Sequence, residues 1–522
     1  LRFLPDGDSF RHAFFFTTPR RPLHQPFAVS SLIRAVIVGA GSRGNRVFAD
    51  LMDRHELGFE VAGVVEPDDG RRRAFCDRYG IPMAHAFAEL NDFLSTPRFS
   101  DIVFVCTPDQ THFEISRDLS EAGHAIMLEK PAATTMQECM MLLEIQRRCG
   151  NPIFIAHGLR YAPFFRAIKA LLDGGTLGTI RHIQLTEQVG HWHFAHSYVR
   201  GQWRRADQAA PIVLTKTSHD LDILQWLIDE PVASVTSHGA LSSFCAGNAP
   251  PGATARCVDC PHQDSCLYSA TRFYLNDRLE WPYDVILDSQ PDSPERRLAA
   301  IATGPYGHCV WLNDNDVCDN QVVLLEFASG KLATFSMHAQ TADNTRDIRV
   351  FCDLGEIRGN LRRGELTVSR FTGHKDDLRP EMILLPPVMD SHGGGDLELL
   401  RSLHEHLTEA KHCDVMTSLE RSLTSHVLAF LADAGAGRAP ATSWRDAAGA
   451  ATDPRDRRSL LTLVSSPSHQ TRTRFSHGRH AALQDGTVQI FIRRPAPRRP
   501  RRLGWRRQRP GADRPPQCQG RR

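Results

Sequence analysis

The segment Ala35-Val36-Ile37-Val38-Gly39-Ala40-Gly41-Ser42-Arg43-Gly44 is an apolar run ending in G-x-G-x-x-G, a spacing whose chemistry is the cradling of a pyrophosphate. Gly39 permits the tight turn, Gly41 lets the backbone approach the phosphates, and Gly44 lets a following helix pack close to the strand. The start of that helix, at Ser42 and Arg43, supplies free N–H groups and a positive dipole end. Glu66 ends the next apolar run, 22 residues past Gly44. An acid there accepts bonds from the adenosine ribose and repels a 2′-phosphate. NAD is therefore the expected cofactor. NADP is the alternative, because Arg71-Arg72-Arg73 follow closely and Arg43 and Arg46 stand near the pyrophosphate end.

A second group could handle protons. Glu129-Lys130-Pro131 follows the apolar run Ile126–Leu128, which puts Lys130 at the carboxyl end of a strand, where doubly wound sheets bind ligands. A desolvated ammonium beside a cationic nicotinamide has a lowered pKa and suits proton relay. Pro131 fixes the turn, and Glu129 either orients Lys130 or meets the nicotinamide ribose. In Leu214-Thr215-Lys216-Thr217-Ser218-His219, His219 has the reference pKa of about 6.5 that suits a base near neutrality. Lys216 could bind substrate hydroxyls or stabilise a developing oxyanion.

A third group is thiol-rich. Cys257, Cys260 and Cys266 give C-x2-C-x5-C inside an otherwise unpatterned stretch at about 241–300. Three thiols so spaced could fold a loop around structural zinc, which needs a fourth ligand: His262, Cys245 or His238. The plainer reading is a loop of free thiols.

These residues need elements to position them. Strand candidates at Arg34–Val38, Glu60–Glu66, Asp101–Cys106, Ala125–Leu128 and Ile153–Ala156 alternate with helices starting near Gly44, Gly70, Phe87, Thr111 and Thr134. That alternation predicts a parallel, doubly wound α/β domain over 32–157. From 158 to 436 the pattern becomes α+β with an open, mostly antiparallel sheet. Helices are expected at Pro163–Asp173, His219–Asp229, Asp396–Ala410 and Ser418–Ala432. Strands are expected at Ile180–Val189, Val322–Phe327, Leu332–His338, Ile348–Cys352 and Glu365–Val368.

Composition bounds the function. With 41% hydrophobic and 23% charged residues, the chain reads as soluble and multidomain, without a membrane-spanning helix. The net charge of +2 hides an asymmetry, because residues 437–522 hold 20 Arg, no Lys and 5 Asp, leaving −13 for the remainder. An acidic body argues against nucleic acid as partner. Residues 1–31 and 437–522 are expected to be a disordered leader and a disordered Arg/Pro-rich tail. Isolated thiols and no secretory h-region make the cytoplasm the expected compartment.

Gly39–Gly44, Cys106-Thr107-Pro108 with His112, and above all Glu129-Lys130-Pro131 resemble the glucose–fructose oxidoreductase / inositol dehydrogenase (Gfo/Idh/MocA) family. The resemblance continues through His157-Gly158-Leu159-Arg160-Tyr161, Gly175-Thr176-Leu177-Gly178 and His219-Asp220-Leu221-Asp222, over roughly 32–435. It implies a Rossmann domain joined to a C-terminal α/β domain, and homodimers or homotetramers packed through the second sheet. Thr107, Pro108, His112 and Glu129 would lie at the cofactor, and a cis bond would precede Pro131. His219 and Lys130 would share acid–base work on a sugar, glycoside or cyclitol. Where many family members carry an Asp four residues before this His, Thr215 stands here. Arg160, Tyr161, Trp203 and Arg204 are candidate sugar-site residues, the aromatic ones facing sugar C–H surfaces. Asp316 and Arg346 are charged cleft or sheet-end candidates. The expected activity is NAD(P)-dependent hydride transfer. The alternatives are an NAD-dependent glycoside hydrolase working by transient oxidation and elimination, and a non-catalytic nucleotide sensor.

Overall fold

The computed structural model describes residues 32–287, 291–375, 380–386, 392–409 and 417–436; the expected leader and tail lie outside them. Six short strands, β1 (Ile33–Val38), β2 (Phe59–Val65), β3 (Ala86–Phe87), β4 (Ile102–Val105), β5 (Ala125–Leu128) and β6 (Ile153–Ile155), form one sheet in the order 3-2-1-4-5-6. Every pairing in it is parallel, which is the doubly wound order expected. β4 and β5 are buried along their whole length because helices cover both faces, and this is why they read as unbroken apolar runs. The helix Met136–Cys149 starts on a reciprocal Thr135–Glu138 capping box and stops at Gly150 in a left-handed conformation.

The second sheet has eight strands: β7 (Ile180–Gln188), β8 (Val232–Ala240), β9 (Asn320–Phe327), β10 (Leu332–His338), β11 (Thr345–Cys352), β12 (Gly355–Asn360), β13 (Glu365–Arg370) and β14 (Glu381–Leu384). Their order is 14-13-12-11-7-10-9-8. β7 and β10 run parallel and the other neighbours antiparallel. β9 alternates buried and exposed residues along its length, the mark of a sheet covered on one face. The helices Pro163–Asp173, Ser218–Ile228 and Leu419–Gly435 cover that face: Phe165, Ile168, Leu221, Leu224, Leu428 and Ala432 share a core with Val323, Leu325 and Phe335.

Three differences from the sequence reading have local causes. The helix expected near Phe87 is a two-residue strand followed by the short helix Leu90–Leu94. β8, β12 and β14 went unread; in β12 (GEIRGN) the only large apolar side chain is Ile357, too little for a period-2 signal. The C-terminal helices also do not stay in the second domain. Gly395–Glu409 places Leu399, Leu400 and Leu403 in the core with Ile33, Ile37 and Phe59. Leu419 and Leu423 join the opposite core with Val36 and Ile126. Among the described residues no helix is long and apolar enough to cross a membrane.

Candidate functional site

The glycine turn has the geometry its spacing demands. Gly39 has φ +94°, and a Cβ there would lie 2.9 Å from the Cys106 carbonyl oxygen; one on Gly44 would lie 2.1 Å from the Gly39 oxygen. Both positions exclude any side chain. A Cβ on Gly41 would meet nothing within 4 Å, and Ser42 beside it is exposed. Open space over a helix start is what a pyrophosphate needs. Glu66 is 4% exposed and ties the turn together. One carboxylate oxygen accepts from the Ala40 N–H at 2.9 Å; the other accepts from the Asp68 N–H at 3.0 Å and from the Arg71 guanidinium at 3.0 and 3.2 Å. The first oxygen retains a lone pair for a ribose hydroxyl.

Two residues expected at the cofactor are instead struts. His112 is wholly buried, its ring nitrogens lying 2.6 Å from the Pro131 carbonyl and 3.0 Å from that of Thr107. It locks the loop after β4 to the loop after β5 and cannot touch a ligand. The Arg43 side chain is committed to two carboxylates. Its Nε donates to Glu129 at 2.5 Å, and its two terminal nitrogens grip Asp396 at 2.8 and 3.0 Å. Asp396, buried beside that guanidinium and His392, is held far below the usual carboxylate range despite its desolvation. Thr107 and Pro108 remain accessible at the end of β4, with Thr107 Oγ1 accepting from Thr111 at 2.8 Å. Glu129 takes the orienting role, accepting the Lys130 N–H at 3.1 Å. The Lys130–Pro131 peptide is cis, as the resemblance implies.

Lys130 reaches across to the second domain, where its Nζ donates to the Thr215 carbonyl at 2.5 Å. Burial lowers its pKa, and Lys216 and Arg43 add to the effect against Asp109 and Glu129. His219, at the start of the helix Ser218–Ile228, is 3% exposed. Its Nδ1 lies 3.3 Å from His157 Nδ1, and its Nε2 is buried without a partner. The surrounding hydrogen bonds assign the tautomers. Ser425 Oγ donates to the Ser422 carbonyl at 2.8 Å, so it accepts from His157 Nε2 at 3.4 Å. His157 Nδ1 is then an acceptor, His219 Nδ1 donates to it, and His219 Nε2 carries a bare lone pair. Burial, reinforced by His392 and Lys130, puts the His219 pKa well below its ordinary value, so this ring is neutral at physiological pH.

The charges around this pair are mostly matched. Lys216 does not meet Asp220 or Asp222; it pairs with the wholly buried Glu187 at 3.3 Å. Arg346 bridges Glu187 at 3.0 Å and Asp220 at 2.7 Å, which gives it a structural place at the sheet end. Arg160 grips Asp222 at 2.6 and 2.7 Å with both side chains buried. Tyr161 is wholly buried, its hydroxyl accepting from the Thr417 N–H at 3.2 Å. Neither is presented to a substrate, which corrects the sequence reading. Trp203 is half-buried and donates to Asp109 at 3.0 Å, and Asp109 in turn acts on Lys130; this places the indole on the Lys130 side of the cleft. Arg204 pairs with Asp314 at 2.7 Å, and Asp316 accepts the Ala206 N–H at 2.8 Å.

Sequence reasoning missed several members. His392 bonds Asp396 at 2.9 and 3.0 Å and sits with its ring 4.9 Å from that of His219. Glu187, Asp109 and Ser425 were likewise unread. Nothing local ties them to the site, since the contacts that bring them there, to His219, His157, Lys216 and Trp203, span long stretches of chain.

The zinc expectation needs correcting. Among the described residues no group of three or more His, Cys, Asp or Glu side chains is arranged to hold a metal. Of the fourth ligands considered, Cys245 bonds the Ser242 carbonyl, His262 the Pro251 carbonyl, and His238 is exposed on β8.

Comparison with known proteins gives the same picture. Residues 33–157 match the oxidoreductase family's NAD-binding Rossmann fold, and residues 169–432 match its C-terminal alpha/beta domain. The Bacillus subtilis protein YteT is 25% identical over 401 residues, 74% of this chain and 91% of that one. Inositol 2-dehydrogenase 2 of Saccharopolyspora erythraea is 29% identical over 35% of this chain and 50% of its own length. Among solved structures, levoglucosan dehydrogenase in complex with NADH and levoglucosan superposes with a TM-score of 0.59 at 15% identity, covering 78% of this chain and 98% of that one. The WlbA dehydrogenase from Bordetella pertussis in complex with NADH and UDP-GlcNAcA gives 0.53 at 15% identity, covering 78% and 97%. A glycine turn open at Gly41 and a two-part match over most of the described residues lead to one conclusion: the chain belongs to the Gfo/Idh/MocA oxidoreductase family, with its NAD-binding Rossmann domain and its C-terminal α/β domain.

Proposed function

We propose that the protein oxidises a secondary hydroxyl of a sugar, glycoside or cyclitol, with NAD preferred over NADP. The observation that carries this reading is the bare, buried Nε2 of His219 on the helix whose preceding turn anchors Lys130. Gly39, Gly41, Ser42, Gly44, Glu66, Thr107 and Pro108 would hold the dinucleotide. When bound, it supplies the hydride acceptor at its nicotinamide. His219 Nε2 takes the hydroxyl proton while Lys130 Nζ donates to the reacting oxygen as negative charge develops there. His157 is a positioning residue that keeps His219 in the accepting tautomer. Lys216, steadied by Glu187, adds a second cation to the oxygen side, in the turn where Thr215 replaces the family's usual Asp. Two relatives are named as inositol 2-dehydrogenases and one solved neighbour holds levoglucosan, which supports a polyhydroxylated substrate. Glu66 supports NAD, because its buried carboxylate would face a 2′-phosphate.

The exposed face of the second sheet carries Val322, Leu324 and Leu332 at 40, 49 and 48% exposure. We infer that a second copy covers it, and light scattering on the purified chain tests this. The activity is tested by following NADH absorbance with a panel of sugars, glycosides and inositols. Net NADH formation that disappears in Lys130→Met, while nucleotide binding persists, supports the assignment. Turnover by Lys130→Met at the wild-type rate overturns it, and product formation without net NADH favours the oxidation–elimination hydrolase.

A further inference from the structure

A cavity of about 210 Å³ lies between the helix His191–Phe194 and the insertion that follows β8. It has room for about seven waters, the space of one pyranose ring. Most of its wall is aromatic: Trp192, Tyr268, Phe273, Tyr274 and Tyr283. Trp192 and Phe273 stack with their planes 24° apart and centroids 6.3 Å apart. Broad aromatic faces with a few polar groups between them suit the C–H surfaces and hydroxyls of a sugar. His191 supplies one such polar group, because its Nδ1 is buried without a partner.

The cavity adjoins both walls of the cleft. His191 follows Glu187, the partner of Lys216, by four residues. The His193 ring packs on Trp192 at 5.5 Å, and after burial the charge of Lys216 is what most lowers its pKa. On the other side Tyr283 precedes Asp284, which pairs with Arg46 in the helix after the glycine turn. The insertion therefore spans from the second domain to the Rossmann domain beside the cleft.

One lining residue carries an unmatched charge. Arg200 is 2% exposed. Its guanidinium donates to the His308 carbonyl at 2.8 Å, the Tyr268 carbonyl at 2.6 Å and Cys257 Sγ at 3.5 Å, and it lies beside the Tyr274 hydroxyl. Among the described residues no carboxylate pairs with it. A buried cation without a counter-charge is costly, and an anion entering the cavity would supply one.

We propose that this cavity is a subsite for an anionic sugar ring. The substrate is then a glycoside with a uronate residue, whose C–H face meets the aromatic wall and whose carboxylate approaches Arg200. The adjoining ring presents the reacting hydroxyl to His219 and Lys130. This assignment rests on the activity proposed above and names its substrate class.

The test supplies the full chain and NAD with uronate-bearing disaccharides, the matching neutral disaccharides and the free monosaccharides, and follows NADH. The acid should exceed its neutral counterpart in kcat/KM by about tenfold or more. Trp192→Ala should cut the preference for the acid over the free monosaccharide by about fivefold, and Arg200→Gln should abolish the preference for acid over neutral disaccharide. Should Arg200→Gln fail to fold, Trp192→Ala decides, since the Trp192 side chain is only half-buried. Neutral disaccharides or free monosaccharides used as well as the acid, or a preference unchanged in folded Trp192→Ala, would overturn the subsite and leave the activity standing. Calorimetry with the acids and NADH-loaded protein separates the two ideas. Binding that depends on Trp192 without NADH formation from any sugar upholds the subsite and removes the activity; no binding of any acid overturns the subsite.

Discussion

The two walls of the cleft are built by different means. On the Rossmann side, the turn Gly39–Gly44 works through absent side chains and backbone N–H groups within six residues, braced by Glu66 and the Cys106 carbonyl. On the opposite wall, His219 depends on His157, Ser425 and His392, brought together from four separate stretches of chain. The first wall is a local conformation, so motif spacing is enough to specify it. The second is a network of buried polar groups, each needing a partner, and such networks form only when the whole core closes.

That contrast can be broken with the largest effect at the pair that meets across the cleft, Lys130 after β5 and His219 on the opposite wall. Lys130→Met should lower kcat by about 10²–10⁴-fold and leave NADH affinity within a few-fold, as read by steady-state kinetics and fluorescence titration. His219→Asn should match it. Next comes the matched charge behind the wall: Arg160→Met strands the buried Asp222 carboxylate and should cost about 3–5 kcal/mol of stability in urea unfolding. A loss under about 1 kcal/mol would mean that the pair is not buried in solution.

The histidines give a pH test of the same wall. Burial pushes the His157 pKa down to about 4 and that of His426 to about 3, from an ordinary 6.5. Folded-state pKa values below the unfolded ones give stability that is complete above about pH 6.5. It falls as pH drops toward 4, because the unfolded chain takes up the protons first. Replacing His157 by Gln should flatten this slope and shift the acid limb of the kcat profile; an unchanged profile would remove its positioning role.

The first wall should respond more mildly and to nucleotide alone. Gly41→Ala intrudes on open space that a pyrophosphate would fill, so NADH binding should weaken about tenfold, or 1.4 kcal/mol, with unfolding unchanged. The smallest effect is expected for Glu66→Ala, which should narrow the preference for NAD over NADP measured as a ratio of kcat/KM values.

How much was legible follows the same division. Ala125–Leu128, Leu332–His338 and Pro163–Asp173 were read to the residue because their apolar runs or periodicity are strong. The glycines, Glu66 and Lys130 were read because strand ends and turn residues are neighbours in sequence. Arg160 and Tyr161 were misread as substrate contacts because a charged or hydroxyl side chain near a cleft looks the same whether it faces ligand or core. Only its partner decides: Asp222 lies 62 residues away and Thr417 lies 256 residues away.

The sequence by itself determined the strand–turn–helix cradle, the alternation that makes a parallel sheet, and the lysine at the end of β5. Each is set by interactions a few residues apart. Only the tertiary structure decided that Arg43 clamps Glu129 to Asp396 and that Lys216 pairs with Glu187. Buried charges and polar atoms must be satisfied by whatever the fold brings next to them, and spacing along the chain carries no record of those meetings.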